Sequence, residues 1–140
     1  MQKIIVHSDG GARGNPGPAA IGVVIADESG AVIEELSEYI GETTNNIAEY
    51  TAVIRGLRIL GTLYKDKTHE LLIDWKLDSE LVEKQLAGEY KVKNPGLQPL
   101  FKEIQDLRAR FPHLSISHVR REYNKEADRL VNEALDKQKV

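Results

Sequence analysis

The sequence contains no cysteine and no long apolar run, and each absence excludes a class of protein. Without cysteine among its 140 residues, the chain forms no disulfide crosslinks. No apolar run approaches the length of a membrane span, so we expect no membrane partner. The opening residues MQKIIVHSDGG also lack the long apolar stretch and the small-residue cleavage site of a secretory signal. We therefore expect a cytoplasmic protein.

The chain also lacks an excess of positive charge, an internal repeat and a low-complexity tract. Its 19 lysines and arginines stand against 22 acidic residues, for a formal net charge of -3. Proteins that coat nucleic acid through bulk charge carry a basic excess instead, but a nucleic-acid enzyme whose acids bind metal remains possible. Because no linker divides the sequence, we predict a single domain over residues 1–140, large enough to bury a core.

Hydrophobic periodicity predicts a mixed α/β fold. Three strand candidates open the chain, KIIVHSD, IGVVIAD and AVIEELSEYI, and the turn ESG joins the last two as a hairpin. A helix follows, with Thr44 as its N-cap. The strands ELLIDWKL and LSISHV then alternate with three helices, DSELVEKQL, GLQPLFKEIQDLRARF and NKEADRLVNEALDKQ, the last capped by Asn124. This alternation predicts parallel pairing with right-handed crossovers in the second half.

Four acids occupy notable places in this arrangement. Asp9 and Asp78 follow two strands whose ends lie roughly 5 Å apart if the strands are parallel neighbours. Glu49 and Asp128 each begin an otherwise apolar helical stripe that should face the sheet. Taken singly, each acid is better explained by a structural role, as a turn residue, a helix cap or a partner of a helix dipole. Gathered at one edge they would repel one another without a cation, and oxygen ligands select Mg²⁺ or Mn²⁺.

Four blocks of sequence, in order, carry a family resemblance: SDGGARGNPGPAAIG, TTNNIAEYTAVIRGL, DSELV and NKEADRLVNEAL. From about Ile4 to Leu135 the chain resembles type 1 ribonuclease H, an endonuclease that hydrolyses the RNA strand of RNA/DNA hybrids. The resemblance implies a ribonuclease H-like five-stranded sheet, three antiparallel strands followed by two parallel ones, flanked by helices. It also implies an RNA/DNA hybrid as the partner, and the sequence itself shows no sign of an obligatory protein partner.

The same resemblance assigns both catalysis and metal binding to Asp9, Glu49, Asp78 and Asp128. Two Mg²⁺ or Mn²⁺ ions are expected with substrate bound, about 4 Å apart and bridged by Asp9, so that no protein nucleophile is needed. Glycines allow close approach of a sugar-phosphate chain, and amides suit the 2′-hydroxyls of RNA. The substrate-binding residues that the resemblance implies are Gly10, Gly11, Asn15, Thr44, Asn45, Asn46 and Glu80.

Some positions depart from the family pattern. Glu42 places a negative charge near the pocket expected to hold a DNA phosphate, and Glu80 stands where several relatives have glutamine. Asp74 shares strand parity with Asp78, so it competes for the metal role. We favour Asp78, because the following SELV completes the motif.

Two groups of basic residues are candidates for contacts with nucleic acid. Lys91 and Lys93 resemble a shortened basic protrusion, although a solvated loop is an equal alternative. Phosphate contacts are also plausible near Asp128, from Arg120, Arg121 and Lys125.

Many relatives have a histidine in the loop before the last acid, whereas here His118 lies within the predicted strand. We therefore predict turnover without a histidine-like ionisation, with Glu122 or Glu126 as the substitute group. A nuclease of the same fold acting on double-stranded RNA or junctions, and a hybrid-binding module without turnover, remain alternatives.

Overall fold

The computed structural model describes residues 1–138 and contains five strands and four α-helices. Residues 139–140 of the predicted domain lie outside the described part. Two 3₁₀ turns, Lys65–Glu70 and Arg121–Tyr123, were not predicted. Within the described residues, no helix combines the length and the apolar character needed to cross a membrane.

In chain order the elements are β1 (Gln2–Ala12), β2 (Gly17–Asp27), β3 (Val32–Thr43), α1 (Asn45–Tyr64), β4 (Leu71–Leu77), α2 (Glu80–Leu86), α3 (Gln98–Arg108), β5 (Leu114–His118) and α4 (Lys125–Lys137).

One mixed sheet has the strand order β3-β2-β1-β4-β5. Strands β1, β2 and β3 pair antiparallel, whereas β4 pairs parallel to both β1 and β5. This topology confirms the predicted fold class. It follows from the chain's connections, since a short turn joins β2 to β3 while helices separate the parallel strands.

Strand β1 extends beyond the predicted strand end. The prediction that the strand ends at Asp9 was wrong, because the glycine-rich residues continue the antiparallel ladder with β2 as far as Ala12 opposite Ala19. Glycine has a low strand propensity, so the sequence pattern did not reveal this extension. The parallel pairing with β4 nevertheless ends at His7 opposite Lys76. Asp9 therefore lies two residues past the paired part of β1 and β4, as the prediction required.

Helices cover both faces of the sheet. The predicted stripe of α1 is buried, and a Cβ at Gly56 would lie 2.6 Å from the Trp75 ring, so the absent side chain lets the helix pack on β4. On the other face, α4 crosses β2 so closely that a Cβ at Gly22 would lie 2.2 Å from the carbonyl oxygen of Ala127. The buried apolar residues between these layers hold the sheet edge and the two helix starts in fixed relative positions.

The helix N-termini confirm one predicted cap and correct another. The Thr44 hydroxyl accepts a hydrogen bond from the Ile47 amide at 3.2 Å, as predicted for α1. Asn124 occupies the N-cap position of α4, but its side chain makes no capping hydrogen bond. Instead, Asn124 Nδ2 donates to the carbonyl oxygen of Ser8 at 3.0 Å. This tertiary contact involves a residue 116 positions away, which no local sequence pattern reveals.

Candidate active site

Three carboxylates meet at the end of the β1–β4 pairing. Asp9, Glu49 and Asp78 offer oxygen atoms that all lie within 4.8 Å of one another. Asp9 and Asp78 each lie two residues beyond the last pair of parallel strand residues, His7 and Lys76. Equal offsets on parallel neighbours place the two acids side by side, which confirms that they share one sheet edge.

Glu49 reaches this edge from the second turn of α1. The amide of Gly10 donates to Glu49 Oε1 at 2.6 Å, and both Asp9 and Glu49 are only 8% exposed. A Cβ at position 10 would lie 2.2 Å from the carbonyl carbon of Ala48. Only glycine therefore allows α1 to lie against β1 at this point. Gly10, directly after Asp9, therefore permits the close packing that brings Glu49 next to Asp9.

Asp128 lies in the first turn of α4 and lines the same cleft, but it is outside the group of three. Asp74, the sequence-based competitor of Asp78, contacts Lys76 at 3.8 Å and does not line the cleft. The structure therefore brings together Asp9, Glu49 and Asp78, with Asp128 in the same cleft but outside their group.

Burial and mutual repulsion perturb these carboxyls. Burial, followed by the charges of Asp78 and Asp128, raises the pKa of Asp9 to about 8. Burial and the charge of Asp9 hold the pKa of Glu49 well above its ordinary value. Burial also raises the pKa of Asp78, although the Arg121 guanidinium acts in the opposite direction. The cluster thus holds more negative charge than its surroundings neutralise, unless protons or a cation bind.

The donor set fits a hard divalent cation. All three closely placed groups supply carboxylate oxygens, which Mg²⁺ and Mn²⁺ prefer, and no softer nitrogen or sulfur ligand belongs to the group. Their raised pKa values have the same origin, namely uncompensated negative charge in a partly buried place. Asp9, Glu49 and Asp78 are the residues that could hold such an ion, with Asp128 near by.

The cleft around the carboxylates has a volume of about 440 Å³ and is lined by four of the predicted substrate-binding residues, Gly10, Gly11, Asn45 and Asn46. Asn45 Oδ1 accepts from the Ala12 amide at 2.8 Å, and Asn15 Oδ1 accepts from the Asn45 amide at 3.0 Å. Because both carbonyl oxygens are engaged, both side chains present NH₂ donors. Thr44 caps α1, and Glu80 is exposed at the start of α2 without lining the cleft.

Two further cleft residues were not predicted from the sequence. Arg13 bonds Asn132 Oδ1 at 3.2 Å and Asp136 at 2.7 Å, which links the glycine-rich loop to α4. Both Arg13 and Asn132 line the cleft. The available signal was helical spacing, since Asn132 follows Asp128 by four residues and so shares its face. For Arg13, the partner lies 119 residues away, and the sequence holds no local signal.

The predicted basic contacts separate into two groups. Arg121 lines the cleft, whereas Arg120 contacts Glu122 at 3.8 Å, and neither Arg120 nor Lys125 is a cleft residue. Lys91 lines another cavity, beside Tyr90. Of the predicted phosphate contacts near Asp128, only Arg121 therefore has the position to meet a ligand in the acidic cleft.

The proposed substitutes for a loop histidine lie elsewhere. Glu122 and Glu126 line a separate cavity together with His7, and neither lines the acidic cleft. The prediction that one of them substitutes for the absent histidine stays a prediction. His118 ends β5 and is exposed, which confirms that it lies within the predicted strand. Turnover without a histidine-like ionisation stays a prediction.

Comparisons with known proteins match most of the chain. The family model described as reverse transcriptase-like matches residues 7–134. The bifunctional protein Rv2228c of Mycobacterium tuberculosis is 41% identical over 136 residues, which cover 96% of this chain and 36% of that protein. Ribonuclease HI of Halobacterium salinarum is 40% identical over 134 residues, covering 96% of this chain and 65% of that protein. The chain thus spans about a third of the length of its mycobacterial relatives.

A solved structure is also similar to this chain over the full length of both proteins. LC11-RNase H1, isolated from compost, superimposes with a TM-score of 0.94 at 52% identity, covering 100% of both chains. Its complex with an RNA/DNA hybrid superimposes with a TM-score of 0.93 at 50% identity, covering 98% of this chain and 99% of that one.

Proposed function

The chain belongs to the type 1 ribonuclease H family, and on that premise we propose that it hydrolyses the RNA strand of RNA/DNA hybrids. One observation carries the proposal: three carboxylates from β1, α1 and the end of β4 converge within 4.8 Å in an open cleft. The relative that is 52% identical over its whole length has also been solved with an RNA/DNA hybrid.

In this proposal Asp9, Glu49, Asp78 and Asp128 are the catalytic and metal-binding residues. Divalent ions held by such carboxylates supply activation of water and stabilisation of the leaving oxygen in phosphodiester hydrolysis. The chain's own contribution is placement. Gly10 fixes one oxygen of Glu49, while Arg121 partly offsets the repulsion on Asp78. Because these groups are held before substrate arrives, little reorganisation is needed during the reaction.

We further propose that amide donors select the RNA strand. Asn15 and Asn45 have their carbonyl oxygens engaged by backbone amides, which leaves their NH₂ groups as donors, and Asn45 lines the cleft. The 2′-hydroxyl accepts hydrogen bonds in a wide, shallow groove and is absent from DNA. A donor surface beside the carboxylates therefore suits recognition of RNA next to the scissile bond.

The test is cleavage of one labelled sequence presented as RNA/DNA hybrid, duplex DNA and duplex RNA, each with Mg²⁺ or Mn²⁺. We expect cutting of the RNA strand in the hybrid, products with 5′-phosphate and 3′-hydroxyl ends, and no cutting of duplex DNA. The Asp78→Asn variant should lose activity, and the matched Asp74→Asn variant should retain it, because Asp74 lies outside the cleft.

Other results would identify a different function. Preferential cutting of duplex RNA or of junctions would give the same fold another substrate. Hybrid binding without cleavage at any metal concentration would indicate a binding module. Products that end in a 2′,3′-cyclic phosphate would contradict attack by water.

A further inference from the structure

Asn124 makes two connections that join the backbones of Asp9 and Asp128. Its side chain is fully buried, and Nδ2 donates at 3.0 Å to the carbonyl oxygen of Ser8, the residue directly before Asp9. Its own carbonyl oxygen accepts the amide N–H of Asp128 at 3.1 Å. A single residue thus holds the first turn of α4 to strand β1 between two of the four acids.

The point of attachment on β1 is itself fixed. The indole Nε1 of Trp75 donates to the Ser8 hydroxyl at 2.9 Å, and both residues are buried. Pairing between β1 and β4 ends at His7, one residue before Ser8. Asn124 therefore attaches α4 at the place where the ladder between these strands has stopped, which is also where the carboxylates begin.

Stability alone does not account for this side chain. Asn124 Oδ1 is buried and has no hydrogen-bond partner among residues 1–138. A buried acceptor without a partner destabilises the folded state, whereas an apolar side chain of similar size avoids that penalty. What asparagine provides, and an apolar residue does not, is the hydrogen bond to the backbone beside Asp9.

We propose that Asn124 is a positioning residue that sets Asp128 relative to Asp9 and thereby governs divalent-ion binding and turnover. The inference rests on the proposed function, since it treats both acids as metal-site carboxylates. Asp128 lies in the first turn of α4, whereas the group of three acids belongs to other elements. The distance between Asp128 and that group therefore depends on where α4 begins. Removing a group that orients a metal ligand typically lowers metal affinity or activity about 10- to 100-fold.

The test compares Asn124→Ala and Asn124→Leu with Ser37→Ala. The leucine variant keeps the branched shape and the four non-hydrogen atoms of the side chain, so it separates loss of the hydrogen bond from loss of packing. Ser37 is a matched control because its hydroxyl donates at 2.6 Å to the carbonyl oxygen of Leu130, joining β3 to the same helix through residues that do not line the acidic cleft. Mn²⁺ affinity of the substrate-free protein is measured by titration calorimetry, kcat and KM on the hybrid by initial rates, and folding by thermal melting.

We expect both Asn124 variants to bind Mn²⁺ at least about tenfold more weakly and to lose at least about tenfold in kcat with little change in KM. Ser37→Ala should shift only the melting temperature. Parent-like Mn²⁺ affinity in a folded Asn124→Leu variant, or equal losses in Ser37→Ala, would overturn the inference.

A parent protein that binds Mn²⁺ without cutting the hybrid would refute the proposed function alone, and the affinity comparison would still decide the role of Asn124. A parent that does neither would refute both.

Discussion

The Asp9 carboxyl has a raised pKa of about 8 because it is buried beside other acids. In the folded state it binds a proton more tightly than in the unfolded chain, where its pKa is near 3.8. Its contribution to stability is therefore full below about pH 3.8 and is lost as pH rises towards 8. At pH 8 without divalent ions, burial and the neighbouring acidic charges therefore make the ionised Asp9 carboxylate destabilise the folded protein.

We expect Asp9→Asn to abolish hybrid cleavage and to melt about 3 °C higher than the parent at pH 8 in chelator, a gain of roughly 1 kcal/mol. The amide keeps the shape of the side chain and removes its charge. Calorimetric melting and the hybrid assay measure the two effects. Asp74→Asn is the control, with near-parent cleavage. Cleavage by Asp9→Asn at the parent's rate would contradict its assignment as a catalytic residue.

Single residues also show how far the sequence could predict the site. Asp9 and Asp78 were predictable because each follows a recognisable strand, and Glu49 because of its helical stripe, whereas the equal offsets of the two aspartates depend on the strand register. Arg13 was not predictable, since its contacts with α4 depend on how distant elements pack. The 3₁₀ turn Arg121–Tyr123 was missed, because three residues are too few to show a periodicity in the sequence.

At the scale of elements, the contact between α1 and β1 depends on Gly10. We expect Gly10→Ala to lower the free energy of unfolding by about 3 kcal/mol. Its Cβ would lie 2.2 Å from the Ala48 backbone, and α1 must move away from the strand. That movement withdraws Glu49 from Asp9, so Mn²⁺ affinity should fall together with stability. Urea unfolding and titration calorimetry measure both.

Gly11→Ala is the matched control for this change. Its Cβ would lie 3.7 Å from a Val131 methyl group, an ordinary contact, so stability should change by less than about 0.5 kcal/mol. Equal destabilisation by the two substitutions would show that strand flexibility, and not helix approach, decides the outcome.

The elements themselves were largely predictable, and their ends less so. Long segments such as α1 and β4 were recognised from the periodic spacing of their apolar residues in the sequence. The final residues of β1 were missed because glycine carries no strand signal, although the ladder with β2 continues to Ala12. The side chain of Asn124 was misassigned as a cap because its partner, Ser8, lies on a distant strand.

For the molecule as a whole, we propose that the described residues form one domain with a single cooperative unfolding transition, stabilised by divalent ions in a pH-dependent way. Protons and the ion compete for the same carboxylates. Since the pKa of Asp9 is raised to about 8, each pH unit below that value should weaken ion binding about tenfold for each proton displaced.

We therefore expect the rise in melting temperature produced by Mn²⁺ to be larger at pH 8.5 than at pH 6. Scanning calorimetry at several Mn²⁺ concentrations measures it, and Asp9→Asn should show little rise at either pH. An equal rise in the parent at both pH values would argue that the stabilising ion binds away from the acidic cleft.

The outer strand β3 has a consequence for the protein in concentrated solution. An outer strand exposes unpaired backbone groups along which a second copy can add its own strand. Here β3 carries four glutamates and its register with β2 shifts between Ala19 and Ala20 and again between Ile25 and Ala26. Two such strands laid side by side would bring like charges together on irregular backbones. We therefore expect these acids to disfavour the addition of a second copy's strand along β3.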